Sequence, residues 1–347
     1  MNQIKTILVG VDFSECSRCA LEQAVRLARC NDARLSVIHV VDASAPDLSP
    51  AEFQAELDEL RRVNREHAIR RLAEWTREAG APIEHSREVM NGTPLDVLLE
   101  QSRSRHADLL VLGITGDSLL PYGAGTLATK CLRKSATKVL LVKQTHPRPF
   151  RRIVACVDFS ETSKEVVKHA LRVAGQDQAE LHFLHVFQAE WNNWSSRDLL
   201  ASLPDFEKNY RAILESNLRQ FAAVPPETTA LYSVAQAKTH GHGIAEYCRS
   251  LDADLVVIGN RGQTTLKYIL LGSTVERLLR EIPCSVLVVR PPPGVGSALA
   301  RGADAAAGDR EAVIQAGQSE QDRATPVGAA SGDKKPEAIH PPIPSRL

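Results

Sequence analysis

Gly259-Asn260-Arg261-Gly262, followed after nine residues by Gly272-Ser273-Thr274, is the stretch of this chain best suited to holding an anion. It follows the apolar run Leu255-Val256-Val257-Ile258, which reads as a buried strand, and it precedes a helical pattern from Val275 to Glu281. Glycines let a backbone come close to a phosphate, and the free N–H groups at a helix N-terminus meet it with a favourable dipole. Ser273 and Thr274 add hydroxyl donors where the helix begins, and Arg261 and Lys267 place positive charge between the glycines. A bare strand-to-helix connection would also use glycine. Three of them at this spacing, with hydroxyls behind, favour a phosphate site.

The elements that must position this loop can be followed from the start of the chain. Ile4 to Val11 reads as a buried strand, closed by Asp12, with Ser14 as N-cap of a helix to about Cys30. A second strand is expected from Arg34 to Val41, a loop at 43–50, and a long charged helix from Ala51 to Ala79 ended by Gly80 and Pro82. Ile83 to Met90 is strand-like, and Thr93-Pro94-Leu95-Asp96 combines cap, proline and acid as a helix start. Leu109 to Leu112 gives a fourth strand, then a glycine loop, a short helix to Lys134 and a last strand, Val139 to Val142.

The series then repeats 146 residues on. Val11-Asp12-Phe13-Ser14-Glu15 returns as Val157-Asp158-Phe159-Ser160-Glu161, and His39-Val40 as His185-Val186. Ala107-Asp108-Leu109 returns as Ala253-Asp254-Leu255, and Gly113 and Gly116 as Gly259 and Gly262. One constant offset implies two homologous domains, 1–146 and 147–290, joined near Pro147 and Pro149. Each half alternates strand and helix, so each is expected to be an open parallel five-stranded α/β sheet with helices on both faces. Ligands of such sheets sit beyond the carboxyl ends of the strands, the edge that Asp158, Val186 and the glycine loop all reach. Residues 291–347 lack Phe, Trp and Tyr and are expected to form a disordered tail.

Composition narrows the partners. Equal numbers of basic and acidic residues, 42 each, remove any general electrostatic case for nucleic acid or an anionic membrane. No apolar run approaches the roughly 20 residues that span a bilayer. The first residues show no signal-peptide layout, and seven cysteines without framework spacing suit a reducing compartment, so a cytoplasmic location is expected.

With repeat and loop in hand, the chain resembles a tandem member of the universal stress protein family. Nucleotide-binding members carry Gly-x2-Gly-x9-Gly-(Ser/Thr), which Gly259, Gly262, Gly272 and Ser273 match without a gap. Val157-Asp158-Phe159-Ser160, His185-Val186 and the closing Pro283 to Val289 fit as well, and the likeness covers residues 1–290. It implies a Rossmann-like, adenine-nucleotide-binding fold and an ATP site, with Mg²⁺ as a candidate companion of the phosphates. Carried over by position, Asp158 would accept from the adenine or ribose side and backbone groups of Val186 would recognise the base. Gly259, Arg261, Gly262, Gly272, Ser273 and Thr274 would hold ribose and phosphates. The resemblance also implies pairing of the final strands, Val139–Val142 with Val286–Val289, as a pseudo-dimer within one chain that leaves room for further homo-oligomers.

The first half departs from the pattern. Its spacer from Gly116 to Gly125 has eight residues, and Thr126 replaces the serine. No Lys or Arg lies between Gly113 and Gly125, and Asp117 adds negative charge there. A first-half site built from Asp12, Val40, Gly113, Gly116, Gly125 and Thr126 is therefore expected to bind ATP weakly or not at all. Three functions remain: a nucleotide-dependent stress regulator without efficient catalysis, a slow ATPase, or a structural adaptor recruiting an unknown protein partner. The chain has no Gly-Lys-(Ser/Thr) P-loop and no acidic pair beside a positioned base, which favours the first.

Several other residues invite chemistry and are read more plainly. Cys16-x-x-Cys19 lies at a helix start, but the repeat puts Thr162 and Glu165 there, so a redox role is disfavoured. His240, His242 and Cys248 lack a second pair at metal spacing. His39 and His185 read as satisfied core histidines, and Trp191 and Trp194 as either a lid over a base or a cover for a helix.

Overall fold

Near-continuous apolar strands with alternating burial predict a sheet covered on both sides, and the computed structural model has that form. It describes residues 4–42, 54–82, 85–115, 124–143, 148–188, 205–226, 228–262 and 271–291. In the first half the order is β1 (Thr6–Gly10), α1 (Glu15–Asn31), β2 (Arg34–Asp42), α2 (Gln54–Glu78), β3 (Ser86–Gly92), α3 (Pro94–Ser104), β4 (Leu109–Gly113), α4 (Thr126–Lys134) and β5 (Lys138–Val142). The second half repeats it: β6 (Arg152–Cys156), α5 (Glu161–Asp177), β7 (Glu180–Phe187), α6 (Phe206–Ala222), β8 (Ala230–Gln236), α7 (His240–Leu251), β9 (Leu255–Gly259), α8 (Ser273–Glu281) and β10 (Ser285–Val289). The third strand runs on to Gly92 because the turn is postponed until Gly92 itself, at φ 140°.

The two five-stranded sheets merge into one of ten strands, ordered β3-β2-β1-β4-β5-β10-β9-β6-β7-β8. Within each half every pairing is parallel; at the seam β5 and β10 run antiparallel, with Leu140 opposite Leu287. The expected pairing of final strands is thus present inside one chain. Successive side chains alternate faces. Ile7, Val9, Ile153 and Ala155 pack in one core with residues of α1, α2, α5 and α6. Leu8, Leu110, Val154 and Val256 pack in the other with α3, α4, α7 and α8.

The repeated aspartates before the fourth strand of each half explain part of the repeat without invoking function. Asp108 Oδ2 accepts from the Lys5 and Thr6 amides at 2.8 and 3.1 Å. Asp254 Oδ2 accepts from the Arg151 and Arg152 amides at the same distances. They fasten the amino ends of β1 and β6, at the sheet edge opposite the glycine loops.

A second tie crosses the halves. Arg26 on α1 grips Asp177 on α5 in two bonds of 2.6 and 2.9 Å, and the Phe150 amide donates to the same carboxylate at 2.8 Å. The Asp177 side chain is only 1% exposed, so removing it leaves the half-buried Arg26 guanidinium and the Phe150 amide without their acceptor. Asp177→Ala is therefore expected to cost on the order of 3–5 kcal/mol, read as a lowered urea midpoint. A change within about 0.5 kcal/mol, as for an ordinary surface substitution, would contradict this role.

Candidate functional site

Asp158 follows β6, and the chain must turn sharply there to enter α5. Phe159 makes the turn in the left-handed region, at φ 63°, and Phe13 does the same in the first half. A bulky residue there costs on the order of 1–2 kcal/mol, so the surroundings must enforce it. They do so through the aspartate. Asp158 Oδ1 accepts from the Ser160 amide at 3.1 Å and from the hydroxyls of Ser160 and Ser163 at 2.6 and 2.5 Å. Ser160 also caps α5 by accepting from the Ser163 amide. The Phe159 ring then lies on the His185 imidazole, centroids 4.6 Å apart.

His185 has a further consequence. The Val157 amide donates to Leu184 O at 2.9 Å, so a continuing ladder would bring the Val186 amide to Val157 O. Instead Val157 O is taken by His185 Nδ1 at 2.8 Å. Groups two residues apart on a strand point the same way. The N–H and C=O of Val186 therefore face the space beyond β6 as an adjacent donor and acceptor. His39, Val11 and Val40 repeat the arrangement, again at 2.8 Å. The sequence marked these histidines as satisfied core groups; each is half-buried with Nδ1 bonded, and that they detach a carbonyl from the sheet is visible only in the structure.

The glycine loop meets the aspartate from the other side. A Cβ on Gly262 would lie 2.7 Å from Asp158 Oδ2, and one on Gly259 would lie 2.8 Å from Thr162 Cγ2. Both positions admit only glycine without displacing a neighbour. Asn260 pins the loop: its amide donates to Val289 O and its carbonyl accepts from Gly272, each at 2.9 Å. Its side chain is buried, yet its Oδ1 has no hydrogen-bond partner among the described residues. A buried unpaired oxygen is costly unless something else donates to it.

Gly272 is the N-cap of α8 and offers no side-chain cap, so Ser273 and Thr274 begin the helix with open amides. Arg261 lies near Arg290, whose guanidinium is pushed down to about 10 by burial first and by the charge of Arg261 second. Arg290 Nε donates to Thr137 O at 3.3 Å, across the seam. The structure thus brings Asp158, Val186, Gly259, Arg261, Gly262, Gly272, Ser273 and Thr274 to one sheet edge. It adds Ser163, Asn260 and Arg290, to which the sequence assigned no role. Lys267, Trp191 and Trp194 lie outside the described residues.

In the first half, Asp12, Val40, Gly113, Gly125 and Thr126 line a cavity of about 310 Å³ with Ser17, Ile38, Leu98, Leu112, Ile114 and Thr115. Gly116 and Asp117 lie outside the described residues. The loop is pinned by the same backbone bonds, Ile114 N to Val142 O at 3.0 Å and Gly125 N to Ile114 O at 2.7 Å. The side chains at the pinned positions differ: Ile114 stands for Asn260 and Thr115 for Arg261.

A profile of the universal stress protein family matches residues 3–143 and again 149–290. The chain belongs to the universal stress protein family. A universal stress protein of Mycolicibacterium smegmatis is 25% identical over 296 residues, covering 82% of this chain and 97% of its own. Universal stress protein E of Photorhabdus laumondii is 22% identical over 311 residues, 84% and 96% of the two chains. A solved universal stress protein from Archaeoglobus fulgidus superposes with a TM-score of 0.60 at 18% identity over 84% of this chain and 100% of that one, a likeness of fold.

The plainer readings of other residues hold a structural place too. Cys16 Sγ contacts Val142 O at 3.2 Å, while Cys19 is buried, its thiol pushed up by burial and then by Glu22, the reverse of a redox thiolate. His242 pairs with Glu281 and Glu246, and Cys248 is buried in the core. No helix among the described residues is long and apolar enough to cross a membrane.

Burial pushes His39 and His185 below the usual histidine value, more than the carbonyl bonds pull them up. Unfolding restores the ordinary value near 6.5, so below that pH the unfolded state takes up more protons and stability falls. Above it these two groups contribute no slope. The urea midpoint is expected to drop as pH falls through 6.5, and less steeply in a His39→Asn/His185→Asn variant. Parallel curves for the two proteins would contradict the assignment.

Proposed function

We propose that this member of the universal stress protein family binds ATP in its second half and acts as a nucleotide-dependent regulator of the stress response. The supporting observation is the meeting of Asp158 with Gly262 beside Arg261 and an unsatisfied Asn260. A carboxylate beside the glycine loop can accept from hydroxyl or amine groups, open helix amides can meet phosphate oxygens, and a buried oxygen has no donor among the described residues.

On this reading the Val186 N–H and C=O pair with the edge of the adenine, and Asp158 Oδ2 accepts from the ribose. The open amides at Ser273 and Thr274 receive the phosphates, with Gly272 shaping the approach and Arg261 balancing their charge. Mg²⁺, where present, would bind through the phosphates themselves, supplying charge neutralisation. Asp158 Oδ1 is occupied by three donors, so the residue serves better as a rigid acceptor than as a proton-transfer group.

Two measurements test this. Mass spectrometry of small molecules released from undialysed protein is expected to show adenine nucleotide. Calorimetric titration is expected to show ATP binding that Gly262→Asp weakens about a hundredfold, since it places a second carboxylate against Asp158 in the path of the phosphates. Equal affinity in the variant would reject the site.

A further inference from the structure

The first-half cavity keeps the base-facing and ribose-facing features of the second half and the uncapped helix start at Gly125, but Thr115 stands where the second half has the cation Arg261. Val40 stands two residues beyond Ile38, whose carbonyl takes the Val11 amide at 2.8 Å, while His39 holds Val11 O. The Val40 N–H and C=O are thus an open donor–acceptor pair at the cavity wall. Asp12 is exposed to the cavity, and its carboxylate is less occupied than that of Asp158. Oδ1 accepts only from Ser14, through amide and hydroxyl, because Ser17 Oγ donates to Ser14 O instead. Oδ2 has no hydrogen bond among the described residues.

Between these polar points the walls are Ile38, Leu98, Leu112, Ile114 and Leu127. Among the described residues no Lys or Arg lines the cavity, and the sequence from Gly113 to Thr126 contains none. A polyphosphate entering here would meet Asp12 with no cation to offset it. The volume, about 310 Å³, is at the small end for ligand pockets, which run from roughly 300 Å³ upward.

We propose that this cavity binds a neutral nucleoside bearing an amino-heterocycle and excludes its phosphorylated form. The heterocycle's adjacent acceptor and amino donor match Val40 N–H and C=O, the sugar hydroxyls donate to Asp12, and the ring faces the aliphatic walls. Resting on the ATP reading of the second half, this makes the chain a two-input sensor, one half reading nucleotide and the other its dephosphorylated product class.

The test is calorimetry on the full-length protein with adenosine, in the presence of saturating ATP. One adenosine per chain is expected, weakened about tenfold or more by Asp12→Asn and by replacing adenosine with inosine, whose ring presents donor and acceptor in the opposite order. Thr115→Arg restores the cation found at Arg261 and is expected to add a second ATP per chain. Adenosine binding that ATP abolishes, or none up to about 1 mM, would overturn the proposal without depending on any variant. A second ATP bound by the wild type would overturn the exclusion of phosphate, and failure of Thr115→Arg to gain ATP, in protein that still melts cooperatively, would overturn the missing cation as its cause. Absence of ATP binding to the wild type would fail the second-half reading alone. Adenosine titrated without ATP into wild type and Asp12→Asn would still decide the cavity.

Discussion

A phenylalanine forced into left-handed backbone at the end of the first strand of each half is the constraint on which the rest depends. At Phe13 and Phe159 the chain leaves the sheet, drops a carboxylate at its edge and enters a capped helix within four residues. The conformation is unfavourable alone and survives because an aspartate, one or two serine hydroxyls and a histidine ring over-determine it. The same turn aims the aspartate at the glycine loop and presses the histidine onto a strand carbonyl. That second contact ends the ladder early and leaves a strand with an unpaired edge where a ligand can read it.

The two halves share this machinery and diverge where it costs least. Backbone bonds that pin the glycine loops are the same at Ile114 and Asn260, so those side chains vary without moving the loop. One replacement exchanges an apolar plug for a buried oxygen wanting a donor; the next exchanges Thr115 for Arg261. Charge and polarity thus differ between two sites whose loops are pinned by the same backbone bonds. The sheet keeps them in one body, since β5 and β10 pair and Arg26 reaches Asp177 from the other half.

Much of this was legible in the sequence because it is carried by local chemistry. Ser14 and Ser160 announce helix caps, Pro94 opens its helix as proline should, and the constant offset reveals the repeat before any strand is placed. The glycines at 259, 262 and 272 were legible for the same reason, since only a close backbone approach needs them at that spacing. What stayed hidden depends on groups distant in sequence. The Arg26–Asp177 pair spans 151 residues, Arg290 reaches Thr137 over 153, and neither lies in any motif. The histidines were seen as core residues, but which carbonyl each removes from the sheet depends on register, which spacing alone does not give.

The central claim, that one half holds phosphates and its twin does not, is tested most directly by a crystal structure of the full-length chain grown with saturating ATP. The account predicts ordered phosphates against the amides of Ser273 and Thr274, the ribose at Asp158, and no phosphate beside Gly125. Triphosphate density in the first-half cavity, or a second-half loop closed on its own side chains with no nucleotide, would contradict it.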